Sequence, residues 1–389
     1  VRLGVLQDIL HRHDESLPLS WSLVMRRPRR LTLTDASSTP AATIAQSNRL
    51  KIESTVRARD REPVCTRIAY TLREATFSLT QRHRGDGAFE LSANAGDFRF
   101  VRTQGRAWQM PGPVKSYAFP DQARTYFQNA SFVADLETAY EDQLDEIFYL
   151  GPLREYPQRD YLWARSRPQD VGQRGEKAID AILAATAARE MRNVRYRARH
   201  RPFQDVIAYW LREMGLIHDF RVEEIAKGSN RWQARVRIED AGPETFLTDV
   251  GFGVSQILPV VTLLQFAPEG STVILEQPEL HLHPLAQANL ADVIINAATH
   301  RRLQVILESH SEHMLLRLQR RVAEDEVPSE AIRLYFCNMR KGASTLNPLE
   351  LDAFGQIANW PDKFMGDAFA ETFAAEKARL ERMRKSAAE

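Results

Sequence analysis

Ser271-Thr-Val-Ile-Leu-Glu276-Gln277-Pro278-Glu279-Leu280-His281-Leu282-His283-Pro284 decides the fold. A short apolar run ends abruptly in acids, the pattern of a buried strand emptying at a sheet edge. Open α/β sheets bind ligands at the carboxyl ends of their strands. A carboxylate there can hold Mg²⁺ beside a nucleotide phosphate. The next apolar run ends the same way, in Val305-Ile-Leu-Glu308-Ser309-His310-Ser311-Glu312-His313. Glu276 and His310 are 34 positions apart, the length of one strand–helix–strand crossover. Glu276, Gln277 and His310 are therefore expected at one sheet edge.

Upstream, Leu247-Thr-Asp249-Val-Gly251-Phe-Gly253-Val-Ser255-Gln256 opens an apolar helix, Val254–Phe266. Small residues at a helix N-terminus suit an anion such as phosphate. From Thr248 the pattern alternates: strand 271–275, helix 285–299, strand 303–307, helix 311–324, strand 332–336. Such alternation implies parallel strands with right-handed crossovers.

Residues 1 to about 120 read differently. Segments 19–25, 49–59, 65–72, 76–81 and 98–102 mix β-branched and aromatic residues with polar ones, and turn-rich pieces separate them. This predicts an antiparallel β-rich lobe, followed by a helix near 122–146. Phe148-Tyr149-Leu150-Gly151-Pro152-Leu153-Arg154-Glu155-Tyr156-Pro157 reads as a short strand running into a turn. Helices are predicted over 176–187 and 203–214, a hairpin over 217–238, and a last helix from Asp367 to about Lys385.

Together these motifs resemble the ATPase heads of the ABC type, in the branch of RecF-, OLD-nuclease- and SMC-like proteins. Gly251 to Gln256 looks like the signature motif, Val273 to Pro278 like Walker B, and His310 like the switch histidine. His281-Leu-His283-Pro284 sits at the D-loop position. Tyr149 to Pro157 and Asn359-Trp360-Pro361 resemble a bacterial subgroup of AAA-family ATPases with a C-terminal domain of unknown function. The resemblance implies an α/β fold, an ABC-type P-loop NTPase head with a parallel central sheet and an N-terminal antiparallel β-rich lobe. It implies three stretches: a lobe and helix over 1–147, an ATPase core over 148–343, and a C-terminal segment over 344–389.

The family also implies roles. Glu276 would bind Mg²⁺. Gly251, Gly253, Ser255 and Gln256 would meet ATP across a homodimer that sandwiches it. His310 would sense the γ-phosphate. The output would be a nucleotide-driven switch in DNA repair or anti-phage defence, with DNA and an effector such as a nuclease as partners. Two departures stand out. Many relatives carry a glutamate where this chain has Gln277, which leaves two alternatives: Glu279 substitutes for it, or the head binds ATP without hydrolysing it. A phosphate loop needs Gly-Lys followed by Ser or Thr, and none of the eight lysines follows a glycine. The family places that loop ahead of the β-rich lobe, so Val1 is expected to begin just after it.

A second class competes. His281 and His283, with His310 and His313, are residue types that ligate zinc in metal-dependent hydrolases. Barrel hydrolases that open on His-x-His need several later strands, and only 106 residues follow His283. Two arginine clusters, Arg26 to Arg30 in an expected turn between strands and Arg189 to Arg201, invite a nucleic-acid reading. The candidates are Arg195, Arg197 and Arg199, against the alternative of a solvated Arg-rich linker. Arginine dominates throughout, since lysine supplies only eight of 52 basic residues.

Composition bounds the rest. Against 51 acids the net charge is +1, which excludes a wholly polybasic chain. Cys65 and Cys337 cannot form a disulfide framework or a paired-thiolate zinc site, so a reducing cytoplasm is expected. No apolar run approaches the roughly 20 residues of a membrane span.

Overall fold

A computed structural model describes residues 5–82, 87–105, 109–194, 198–361 and 377–379. It divides into two units. The first comprises 1–145 with 341–343, and the second 146–340 with 344–389.

The first unit opens with a short helix α1 (Leu6–Ile9), followed by five strands: β1 (Leu19–Asp35), β2 (Ala42–Arg59), β3 (Glu62–Leu72), β4 (Ala75–Gln81) and β5 (Phe89–Asn94). They pair antiparallel in sequence order, as the alternating segments predict. Their inward residues, among them Leu50, Ile52, Ile68, Tyr70, Phe77 and Leu79, are wholly buried. Two helices complete the unit, α2 (Asp121–Tyr126) and α3 (Val133–Asp145).

Three expectations are corrected here. The helix near 122–146 is broken in two, since Phe127 is extended at φ −128° and ψ 129°. The Arg26 to Arg30 cluster is not a turn. It lies within β1, where the register with β2 shifts between Arg26 and Leu31. A bulge of this kind absorbs extra residues while pairing continues. Segment 98–102 is no strand. It contributes a single bridge, Arg102 to Phe127, because Phe98 and Phe100 are taken up in an aromatic cluster with Phe77 and Phe132.

The second unit carries β6 (Ile147–Leu150), β7 (Tyr161–Leu162), α4 (Ala178–Ala187), β8 (Met191–Arg192), β9 (Arg201–Pro202) and α5 (Phe203–Glu213). Then come β10 (Asp219–Glu224), β11 (Arg231–Arg237), β12 (Glu244–Phe246), α6 (Phe252–Phe266), β13 (Thr272–Glu276), α7 (Pro284–His300), β14 (Gln304–Glu308) and α8 (Glu312–Ala323). A hairpin of β15 (Leu334–Arg340) and β16 (Ala343–Leu349) follows. The fold class is α/β: β14, β13 and β6 form a parallel sheet in that order, beside a separate antiparallel region. The strand expected at 332–336 does not extend the parallel sheet. It pairs with β16, because a two-residue turn at Lys341 and Gly342 with positive φ folds the chain straight back. The expected last helix lies outside the described residues except for 377–379.

Helix α6 is the axis of this unit. Every residue from Val254 to Phe266 is buried, as expected of a helix that is apolar all round. Pro259 lies inside it, and Gly175 packs there at φ +76°. A Cβ on Gly175 would fall 2.5 Å from the Pro259 Cβ, so only glycine fits. The helix end is closed by Arg301, which donates to the carbonyls of Leu264 at 2.8 Å and Ala267 at 2.6 Å. Burial pulls the Arg301 pKa down to about 10. Among the described residues no helix is long and apolar enough to cross a membrane.

Candidate functional site

Parallel register brings the motif ends together. Glu276 on β13 lies opposite Glu308 on β14, and Leu275 lies opposite Leu150 on β6. The turns after all three strands therefore leave the sheet at one edge. Val273 and Leu275 point into the core while Glu276 takes the other, half-buried face. Tyr149 of β6 shares that face, and its pKa is raised, first by burial and then by its interaction with Glu276 and the charge of Glu308.

Gln277 turns the chain in the left-handed region, at φ +43°. That conformation costs a non-glycine residue roughly 1–2 kcal/mol. Its backbone N–H donates to the Glu308 carbonyl at 2.9 Å, and its side-chain Nε2 lies 3.5 Å from Glu308 Oε1. The turn is held from behind by Arg154, only 4% exposed. The Arg154 guanidinium donates to the carbonyls of Glu276 at 3.1 Å, Gln277 at 3.2 Å and Pro152 at 3.2 Å. Burial lowers the Arg154 pKa to about 10, and the nearby Glu279 charge partly offsets this.

Glu279 is 6% exposed, and its Oε1 accepts the His310 backbone N–H at 2.7 Å. Its Oε2 and the Arg154 Nε are buried without a hydrogen-bond partner. The His310 ring stays outside, largely exposed, with Nε2 3.9 Å from Glu308 Oε1. The following helix is anchored: Ser311 caps α8 by accepting the Met314 N–H at 3.1 Å and donates to Gln287 of α7 at 2.7 Å.

The glycine-rich helix start meets the same region from the other side. A Cβ on Gly253 would fall 2.7 Å from the His281 carbonyl oxygen, whereas Gly251 has open space. The His281 ring stands edge-on to Phe252 at 4.8 Å, and Phe252 meets Tyr156 at 5.6 Å. Ser255 is buried and donates to the Phe252 carbonyl at 2.8 Å. Gln256 is buried with its Nε2 unpartnered.

Donor chemistry fits one group and not another. Glu276 and Glu308 on one face suit a hard cation such as Mg²⁺, completed by water and phosphate oxygens. A triphosphate cradle is not supplied by these 389 residues, which lack a Gly-Lys-Ser/Thr, and Arg154 is committed to carbonyls. The four histidines do not assemble a zinc site. His283 Nδ1 accepts the Ala286 N–H at 3.2 Å as the cap of α7, and among the described residues no group of three or more His, Cys, Asp or Glu could hold a metal.

Glu276, Gln277, Glu279 and His310 are thus brought together, with Gly253 adjoining through His281. Sequence reasoning missed Arg154, Tyr149 and Glu308. Glu308 was legible from its place at the end of β14. Arg154 carried no comparable signal. Of the nucleic-acid candidates, Arg195 and Arg197 lie outside the described residues, and Arg199 is exposed.

Residues 128–316 match the protein-family model described as "AAA domain, putative AbiEii toxin, Type IV TA system". Residues 327–374 match "Protein of unknown function (DUF3696)". Residues 128–316 are thus similar to an AAA-type ATPase domain and residues 327–374 to a domain of unknown function, as the motifs led one to expect. No curated protein matches it. Among solved structures it is similar to the SMC head domain from Thermotoga maritima, at 10% identity over 77% of this chain and 74% of that one, with a TM-score of 0.33. It is also similar to the Smc head domain with an extended coiled coil bound to the C-terminal domain of ScpA, derived from Pyrococcus furiosus. That match has 13% identity over 38% of this chain and 35% of that one, with a TM-score of 0.30.

Proposed function

We propose that this chain is the motif-bearing part of an ATP-binding and ATP-hydrolysing head, working as a dimeric, nucleotide-driven switch. The observation that carries this reading is the sheet edge itself. Glu276, Gln277 and Glu308 share it, and Glu279 ties it to the His310 backbone. Glu276, with Glu308 beside it, would hold Mg²⁺, which supplies charge neutralisation for phosphates. Gln277 would orient the attacking water. A neutral amide suffices for this, because phosphoryl transfer depends mostly on positioning and charge neutralisation. The exposed His310 ring is free to meet a terminal phosphate. Among the described residues β14 pairs with β13 alone. Its second edge, beside the half-exposed Ile306, leaves room for a strand carrying a phosphate loop. Gly251 to Gln256 would serve the partner head. DNA repair or defence, with DNA and an effector as partners, and a cytoplasmic location belong to the same reading.

A second reading rests on Gln277. An amide takes no proton, so the head would bind ATP, dimerise and stay closed. The experiment uses the intact gene product and measures Mg²⁺-dependent ATP turnover and mass in solution with and without ATP. The first reading expects turnover that Glu276→Gln abolishes and a rise from monomer to dimer. Dimerisation without turnover, converted to turnover by Gln277→Glu, selects the second. Neither turnover nor ATP-dependent dimerisation overturns both.

A further inference from the structure

β8 and β9 pair antiparallel, Met191 with Pro202 and Arg192 with Arg201. The pairing sits at the start of α5, and a groove of about 520 Å³ lies beside it. Arg199, Arg201 and Arg212 line the walls, and Met191 and Pro202 give apolar surface. The volume lies within the roughly 300–1,000 Å³ of small-ligand sites, the bulk of about one or two nucleotides.

Charge in the groove is not balanced internally. Of its two acids, Asp219 is already paired with Arg221 at 3.0 Å and Arg237 at 3.2 Å. That leaves Asp205 against three guanidiniums. Arg199 has no ion pair among the described residues. Arg201 lies over the Tyr209 ring at 5.2 Å and has no ion pair among the described residues. Among the described residues Arg212 spends only its Nε, on the His218 carbonyl at 2.7 Å. Arginine forks match phosphate oxygens by paired hydrogen bonds. A positively charged groove is the element by which proteins track a single-strand backbone.

We propose that this groove binds the phosphodiester backbone of single-stranded nucleic acid, with Arg199, Arg201 and Arg212 on phosphates and Met191 and Pro202 beneath sugar or base. The site is separate from the sheet edge, so the proposal stands whether or not the ATPase reading does.

The test needs no ATP. A fluorescein-labelled single strand of about 12 nucleotides is titrated with the protein, and anisotropy is followed between about 50 and 200 mM salt. The double substitution Arg199→Ala with Arg201→Ala is expected to weaken binding about tenfold. It should also lower the slope of log affinity against log salt by about 1.4, the value for two lost phosphate contacts on a single strand. Arg199→Lys with Arg201→Lys should recover most of the affinity, and Arg333→Ala, exposed elsewhere, should change nothing. Unchanged binding in the double alanine variant overturns the proposal. So does equal affinity for a duplex of the same length. Inorganic tripolyphosphate binding as tightly as the oligonucleotide, with the same dependence on both arginines, overturns it in favour of a free polyphosphate.

Discussion

The Glu279 carboxylate accepts the His310 backbone N–H at 2.7 Å, joining the turn after β13 to the turn after β14. The two strand ends cannot shift independently while that bond holds. Any group that moves His310 therefore pulls on the turn carrying Glu276 and Gln277.

Glu279→Gln preserves the shape of this link and removes its charge. ATP turnover by the intact gene product is expected to fall about tenfold to a hundredfold, the scale of a small misplacement of reacting groups. ATP affinity should change only a few-fold. Equal loss of both would mean that Glu279 serves folding alone.

Arg154 is the counterweight. Arg154→Ala removes three donors from a buried turn and leaves the carbonyls of Pro152, Gln277 and Glu276 without them. Leaving a buried acceptor unsatisfied costs about 1–3 kcal/mol. Urea unfolding should report a loss of that order. Arg154→Lys should recover part of it, since one ammonium cannot span three carbonyls as a planar fork does.

The two signature-like glycines should separate stability from function. Gly253→Ala drives a Cβ against the His281 carbonyl and is expected to cost about 1–3 kcal/mol in thermal unfolding. Gly251→Ala meets open space and should leave the melting temperature nearly unchanged. A loss of ATP-dependent dimerisation in Gly251→Ala would then be a property of the surface it presents.

Asp219 predicts an acid sensitivity. Burial alone would raise its pKa, but the bonds from Arg221 and Arg237 outweigh burial and hold it below the ordinary carboxylate value of 3.8. The native state therefore releases this proton more readily than the unfolded chain. The stability so gained is complete above the unfolded pKa and is lost as pH falls through the lower folded one. Asp219→Asn should lower stability at neutral pH and flatten its decline on acidification below about pH 4.

How much of this was legible beforehand divides along physical lines. The sequence by itself determined what is periodic or local. Alternation set the antiparallel lobe. Apolar runs ending in Glu276 and Glu308 set the parallel strands, and the 34 positions from Glu276 to His310 placed them at one edge. The largely apolar run after Gly251 set the buried helix.

Only the tertiary structure decided what depends on partners distant in the chain. The Arg26 to Arg30 cluster stayed in β1 because a bulge against β2 absorbed it. Leu334–Arg340 left the parallel sheet for its own hairpin, since a tight turn offered an adjacent strand first. Arg154 became the brace of the Gln277 turn through carbonyls more than 120 positions away. A backbone carbonyl looks the same at every position in a sequence, so no local pattern could have named that acceptor before the chain was folded.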